Sequence, residues 1–140
     1  MSEPILIPVS AGELFDKLTI LEIKHERFSS ADKRANAQRE FQLLLRVAQD
    51  VVAAHPAAAG EVAALRAALH DINGRLWDLE NEVRAFGAAG DFGTDFAATA
   101  RQTYSTNDQR SALKRQLNAV LVSSIVEEKE HRLGTGPASR

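Results

Sequence analysis

Residues 62–86 of the chain read VAALRAALHDINGRLWDLENEVRAF. The large apolar residues in this segment recur at alternating spacings of three and four, which is the period of a helix with one narrow apolar stripe. The stripe consists of Val62, Leu65, Leu69, Ile72, Leu76, Leu79, Val83 and Phe86. A helix over 57–86 is about 45 Å long, so more than one partner helix is needed to cover its stripe. This coiled-coil-like pattern predicts an all-α bundle built on a long central helix.

Local signals for helix ends divide the rest of the chain. Ser10 and Glu13 have capping-box spacing, and a Pro at position 56 ends a helix that begins after a cap at 29–32. Glycines at 87, 90 and 93 interrupt the pattern, and Thr106 is placed to cap a last helix. The predicted helices span 11–28, from the cap at 29–32 to about 54, 57–86, 95–104 and 107–132. The fold class predicted is therefore all-α, a bundle of about five helices.

The two ends of the chain differ from this helical pattern. We expect one helical domain over 1–133 and a small, polar, disordered tail at 134–140. Residues 4–9 read PILIPV, apolar residues bounded by prolines, which predicts an extended arm laid over the bundle or a short edge strand. Because the arm and the long stripe both need a covering surface, at least a dimer is predicted.

Composition excludes several classes of function. The 17 basic and 19 acidic residues give a net charge of −2, which disfavours nucleic-acid binding by bulk charge. The absence of cysteine rules out disulfides, thiolate catalysis and metal sites built on sulfur. No apolar run reaches the length of a bilayer and the start lacks a basic leader, so a cytoplasmic protein without membrane insertion is expected. No P-loop, dinucleotide fingerprint or Ser-His-Asp set is present. No cofactor is predicted, and whether the protein is an enzyme stays open.

Two Glu-x-x-His pairs raise the hypothesis of a metal site. Glu22 with His25 and Glu128 with His131 each project from one helix face, as in di-iron carboxylate bundles, and Glu80 could add a further carboxylate. The alternative is that both histidines lie near helix ends and make ordinary hydrogen bonds, since so short a pattern arises by chance in a chain rich in Glu.

A second group of residues raises the hypothesis of an anion site at the start of the last predicted helix. Free N–H groups at a helix start favour an anion, and nearby Arg or Lys adds charge-assisted contacts to phosphate or carboxylate. The candidate residues are Arg84, Arg101, Tyr104, Asn107, Arg110, Lys114 and Asn118. The alternative is that these cations pair with acidic residues of neighbouring helices.

Four segments carry a resemblance to a known family. They read VSAGELFDKLTILEIKHER at 9–27, INGRLWDLENEVR at 72–84, ARQTYSTNDQR at 100–110 and IVEEK at 125–129. The chain resembles a family of small bacterial helical proteins known only as a domain of unknown function, sometimes encoded near genes for surface polysaccharides and glycosyl transfer. The resemblance supplies no activity. It favours polar residues within the region that the resemblance covers, roughly 5–130, namely Glu13, Asp16, Lys17, Glu22, Asn73, Arg84, Arg101, Tyr104, Asn107, Asp108, Arg110, Lys114, Asn118, Glu127 and Glu128.

Three functions remain open on the sequence alone. The first is a helical module that binds a protein partner or assembles with itself, which the resemblance links to surface-glycan biosynthesis. The second is a bundle with an internal polar pocket for a small anionic metabolite, like a helical chorismate mutase in architecture only. The third is the carboxylate-histidine metal site.

Overall fold

Residues 3–122 of the chain are defined in a computed structural model. Four α-helices follow one another: α1 (Ala11–Arg27), α2 (Ala31–Ala53), α3 (Ala59–Ala88) and α4 (Thr94–Val120). A single 3-10 turn at Pro56–Ala58 precedes α3. Residues 3–122 contain no strand, so the prediction of an all-α bundle is confirmed.

The helix starts follow the local capping signals. The Ser10 side-chain oxygen accepts a hydrogen bond from the Glu13 backbone N–H at 3.2 Å, and the Ser30 side chain accepts from the Lys33 N–H at 3.3 Å. Each cap satisfies one of the N–H groups that a helix start leaves without an intrahelical acceptor. Because these signals act over three residues, they place the starts of α1 and α2 correctly from sequence.

The apolar stripe of α3 faces the interior as predicted. Its buried members are Val62, Leu65, Leu69, Leu76 and Leu79, and its half-buried members are Ile72, Val83 and Phe86. The half-buried residues lie mainly toward the end that α3 shares with the start of α4, where Phe86 packs edge-on against Phe96. The spacing of apolar residues was therefore sufficient to predict which face of α3 is covered.

The helix at the centre of the bundle is α1, and not the longer α3. α1 contacts α2, α3 and α4. It contributes Phe15, Leu18, Leu21 and Ile23, all at most 2% exposed. α2 packs mainly on α1 and scarcely touches α3. A short helix with apolar residues on several sides is enclosed more completely than a long helix with one narrow stripe, which explains the exchange of roles.

The predicted fourth and fifth helices form one continuous helix, α4. No turn separates them at 105–108, and Thr106, the predicted cap, lies within α4 at 2% exposure. The polar run resembles a helix start locally, but its small side chains can also be buried within a continuous helix, as that of Thr106 is. Packing along the bundle therefore overrides the local turn signal.

Two predicted features concern the ends of the chain. Residues 3–9 form neither a helix nor a strand, and Ile5, Leu6 and Ile7 are 89%, 90% and 71% exposed, so the arm does not lie on its own bundle. The predicted tail at 134–140 and the last part of the predicted fifth helix lie outside the described residues. Among the helices within 3–122, none is both long and apolar enough to cross a membrane.

Candidate functional site

A ladder of polar contacts joins α4 to the first turns of α1. On α4, residues at four-residue spacing share one face, and α4 runs antiparallel to α1. The contacts are Arg110 to Asp16, Lys114 Nζ to Glu13 Oε2 at 2.8 Å, and the Gly12 N–H to Asn118 Oδ1 at 2.7 Å. With Thr19 and Asn73, these residues are called the polar network below. The network joins α1 to both α3 and α4.

Asp16 is the centre of the polar network. Its carboxylate is 1% exposed and accepts from Arg110 through both Nε, at 2.9 Å, and Nη2. Its Oδ1 also accepts from Asn73 Nδ2 at 2.9 Å. Burying a carboxylate is costly unless charge and hydrogen bonds compensate for the lost water, and these three donors do so. The fork of the guanidinium thereby fixes the relative position of α1 and α4.

Gly12 allows the close approach of α1 and α4 on which the ladder depends. A Cβ at this position would lie 2.4 Å from the carbonyl oxygen of Lys114 and 2.9 Å from its carbonyl carbon. Both atoms belong to the backbone of α4 and cannot move aside as a side chain could. Only glycine fits this contact without displacing a helix.

A cavity of about 330 Å³ lies beside the polar network, between α1, α3 and α4. Its apolar wall includes Ile23 and Trp77, and its polar wall includes Asn73, Asn107 and Arg110. Trp77 is half-buried, with its ring centroid 5.8 Å from that of Phe28. We call this space the Trp77 cavity. Its size is at the lower end of the range for sites that bind small molecules.

A second and larger concavity, of about 920 Å³, separates α2 from α3 and has Phe15 of α1 as its floor. Leu45 and Val52 of α2 and several alanines of α3 line its walls. Its charged residues include Arg66, whose guanidinium binds the Glu22 carboxylate. We call it the α2–α3 groove, and it exists because both helices pack on α1 rather than on each other.

The residues predicted for an anion site are only partly brought together. Asn107 and Arg110 line the Trp77 cavity, whereas Lys114 and Asn118 contact the start of α1. Arg84, Arg101 and Tyr104 are exposed and are not among the residues that line the cavity. The helix start on which the prediction depended is absent because α4 is continuous there. The ion pairs of Arg110 with Asp16 and of Lys114 with Glu13 follow the alternative, pairing with a neighbouring helix.

The residues predicted for a metal site do not converge within the described part of the chain. His25 and Glu80, both predicted as metal ligands, are exposed. Glu22 instead binds Arg66 and lies 3.9 Å from Nε2 of His70. Among residues 3–122, no three His, Asp or Glu side chains are placed to hold a metal ion. Glu128 and His131 lie outside the described residues.

Spacing and motif reasoning on single helices missed the most tightly held residues. Asp16 and Gly12 contact residues 94 and 106 positions away, and no periodic pattern marks such a pair. The His70 imidazole, 3.4 Å from Glu26, was also missed. One signal was available for part of the network: the segments that carried the family resemblance contain Glu13, Asp16, Asn73 and Arg110.

Comparison with known proteins gives a family and no activity. A family model described as a family of unknown function, DUF6165, matches residues 5–139. The chain belongs to the DUF6165 family. The match confirms the resemblance seen in the four sequence segments. Searches of curated proteins and of solved structures give no match. Any proposal about the function therefore rests on the geometry of the molecule.

Proposed function

We propose that the protein is a helical assembly module, which forms a dimer by placing the arm of each copy, residues 4–9, in the α2–α3 groove of the other. The observation that carries the proposal is the exposure of Ile5, Leu6 and Ile7, at 71–90%, in a molecule that also has a wide apolar groove. A run of three exposed large aliphatic residues is unusual on a monomer that has no binding partner.

The arm and the groove match in length. Six extended residues span about 20 Å at about 3.3 Å per residue. The α3 wall of the groove extends from Ala59 to Asp71, twelve residues apart, or about 18 Å at 1.5 Å per residue. The arm can therefore lie along the whole wall.

The arm and the groove also match in chemistry. Residues 4–9 carry no charged side chain, and the groove is lined mainly by alanine, leucine and valine. Pro4 and Pro8 lack an N–H group, which suits an extended segment held by its side chains rather than by a strand ladder. Burying an exposed Ile or Leu side chain contributes about 2 kcal/mol, so three of them can offset part of the cost of association.

A second copy of the chain is the partner that would cover both the arm and the α2–α3 groove. In the structure the arm leaves the helix at Ser10 and covers none of its own groove, so groove and arm are both available to another molecule. A twofold exchange makes the same contact twice and leaves neither surface uncovered.

Sedimentation of three variants tests the exchange. We expect the wild type at micromolar concentration to have twice the chain mass of 15.3 kDa. Leu6→Asp puts a charge on the arm, and Ala63→Arg fills the groove at an exposed position, so each variant alone should be monomeric. Ala64→Arg is the matched control, because Ala64 is exposed on the same helix outside the groove, and it should remain a dimer.

Mixing the two monomeric variants distinguishes arm exchange from any other interface. Leu6→Asp keeps an intact groove and Ala63→Arg keeps an intact arm, so one of the two contacts is restored in the mixture. A heterodimer should therefore form that neither variant forms alone. A monomeric wild type, or dimers that survive both substitutions, would show that the proposed exchange does not occur.

A further inference from the structure

The orientation of the Asn73 amide is fixed by its neighbours. The Thr19 hydroxyl donates to the Asp16 backbone carbonyl at 2.7 Å, so its oxygen can only accept a further hydrogen bond. The Asp16 carboxylate is also an acceptor. The Nδ2 group of Asn73 therefore has to face both, and it donates to Thr19 at 2.8 Å and to Asp16 at 2.9 Å. The opposite assignment would place oxygen against oxygen at both contacts.

This orientation leaves the Oδ1 atom of Asn73 without a donor. Within residues 3–122, no hydrogen bond to this atom is formed. Every side-chain nitrogen or oxygen that is cut off from solvent in that range has a partner, so Oδ1 reaches open space. Asn73 as a whole is only 6% exposed and lines the Trp77 cavity. The largely buried Asn73 therefore offers the Trp77 cavity an acceptor that no protein donor in residues 3–122 uses.

The charges around the Trp77 cavity favour a cation over an anion. The only cationic side chain among its lining residues, Arg110, is bound through two nitrogens to the buried Asp16 carboxylate. Glu80 also lines the cavity and is exposed. These three groups together carry one net negative charge. An aromatic ring such as that of Trp77 adds to the attraction of a cation.

We propose that the Trp77 cavity binds a small organic cation with a primary ammonium group. The ammonium group donates to Asn73 Oδ1, and its charge is balanced by Glu80. The carbon chain lies against the apolar wall at Ile23 and Trp77. This site is separate from the α2–α3 groove, so it goes beyond the proposed dimer and does not depend on it.

Trp77 is the only tryptophan of the chain, so its fluorescence reports on this cavity alone. The probe is n-butylammonium chloride, with n-butanol as the neutral analogue, butyrate as the anionic analogue and tetramethylammonium as a cation without a donor. We expect a saturable fluorescence change with butylammonium in the millimolar range that a ligand of few atoms allows. Butanol and butyrate should give no saturable change, and tetramethylammonium, which cannot donate to Asn73 Oδ1, should bind more weakly than butylammonium. Inorganic phosphate tests the alternative that Arg110 belongs to an anion site, and it should give no saturable fluorescence change.

A pair of matched variants separates the ammonium site from general salt effects. Glu80→Gln removes the balancing charge at an exposed position and should weaken butylammonium binding about two- to fivefold without loss of folding. Glu82→Gln changes an exposed residue of the same helix that does not line the cavity, and it should leave binding unchanged. Equal binding of butanol, butyrate or phosphate would overturn the proposal. Absence of saturation by butylammonium, or equal affinity in both variants, would also overturn it.

Discussion

Asp16→Asn should lower the free energy of unfolding by about 3 kcal/mol. The substitution keeps the shape of the side chain but removes the charge that the Arg110 guanidinium and the Asn73 amide were arranged to meet. Removing one partner of a buried ion pair costs about 3–5 kcal/mol because the other charge is left without compensation. The Arg110 side chain is 29% exposed, so water partly replaces the lost partner and the lower end of that range applies. Denaturant titration measures the loss.

A surface ion pair provides the control for Asp16. Lys17 and Glu40 join α1 to α2 at 3.3 Å, with both side chains about half exposed. Glu40→Gln should cost less than about 0.5 kcal/mol, since exposed pairs contribute little. If Asp16→Asn lowered the free energy of unfolding no more than Glu40→Gln does, the polar network would not be what fixes α1 in the bundle.

The double variant Asp16→Leu with Arg110→Met should be more stable than Asp16→Leu alone, because no charge is then left buried.

Gly12→Ala should destabilise the protein by about 3 kcal/mol, although it adds a single methyl group. The new Cβ would lie 2.4 Å from the carbonyl oxygen of Lys114, so α1 and α4 would have to separate. Overpacking of this kind costs about 1–3 kcal/mol. Separation would also weaken the hydrogen bond from Gly12 to Asn118, which contributes about 1 kcal/mol more. Thermal and denaturant unfolding measure the sum.

Replacing a different glycine, Gly87, by alanine should raise the free energy of unfolding instead of lowering it. Gly87 lies within α3, and a Cβ built on it meets nothing within 4 Å. Gly87→Ala should therefore stabilise the protein by about 0.5–1 kcal/mol, the difference in helix propensity between the two residues. A gain at both positions would mean that α1 and α4 are not in backbone contact at Gly12.

The unfolding experiments and the dimerisation experiments address different parts of the molecule. Asp16 and Gly12 lie in the interface of α1 with α4, whereas the dimer variants change the arm and the exposed side of α3. Leu6→Asp and Ala63→Arg should thus alter the mass in solution with little effect on the stability of the isolated bundle. A monomeric wild type would therefore leave the expected effects of Asp16→Asn and Gly12→Ala on unfolding unchanged.

Sequence by itself determined the helical character of the chain, the inward face of α3, and the starts of α1 and α2. These features depend on the 3.6-residue period and on caps that act within three residues, as at Ser10 and Ser30, so a single segment contains all the information needed. Tertiary structure alone decided that α1 lies at the centre, that α4 continues through Thr106, and that Arg110 pairs with the buried Asp16. Those outcomes depend on which helices pack against one another. They are set by the energy of burying whole surfaces together and by contacts across about a hundred residues, which no local pattern records.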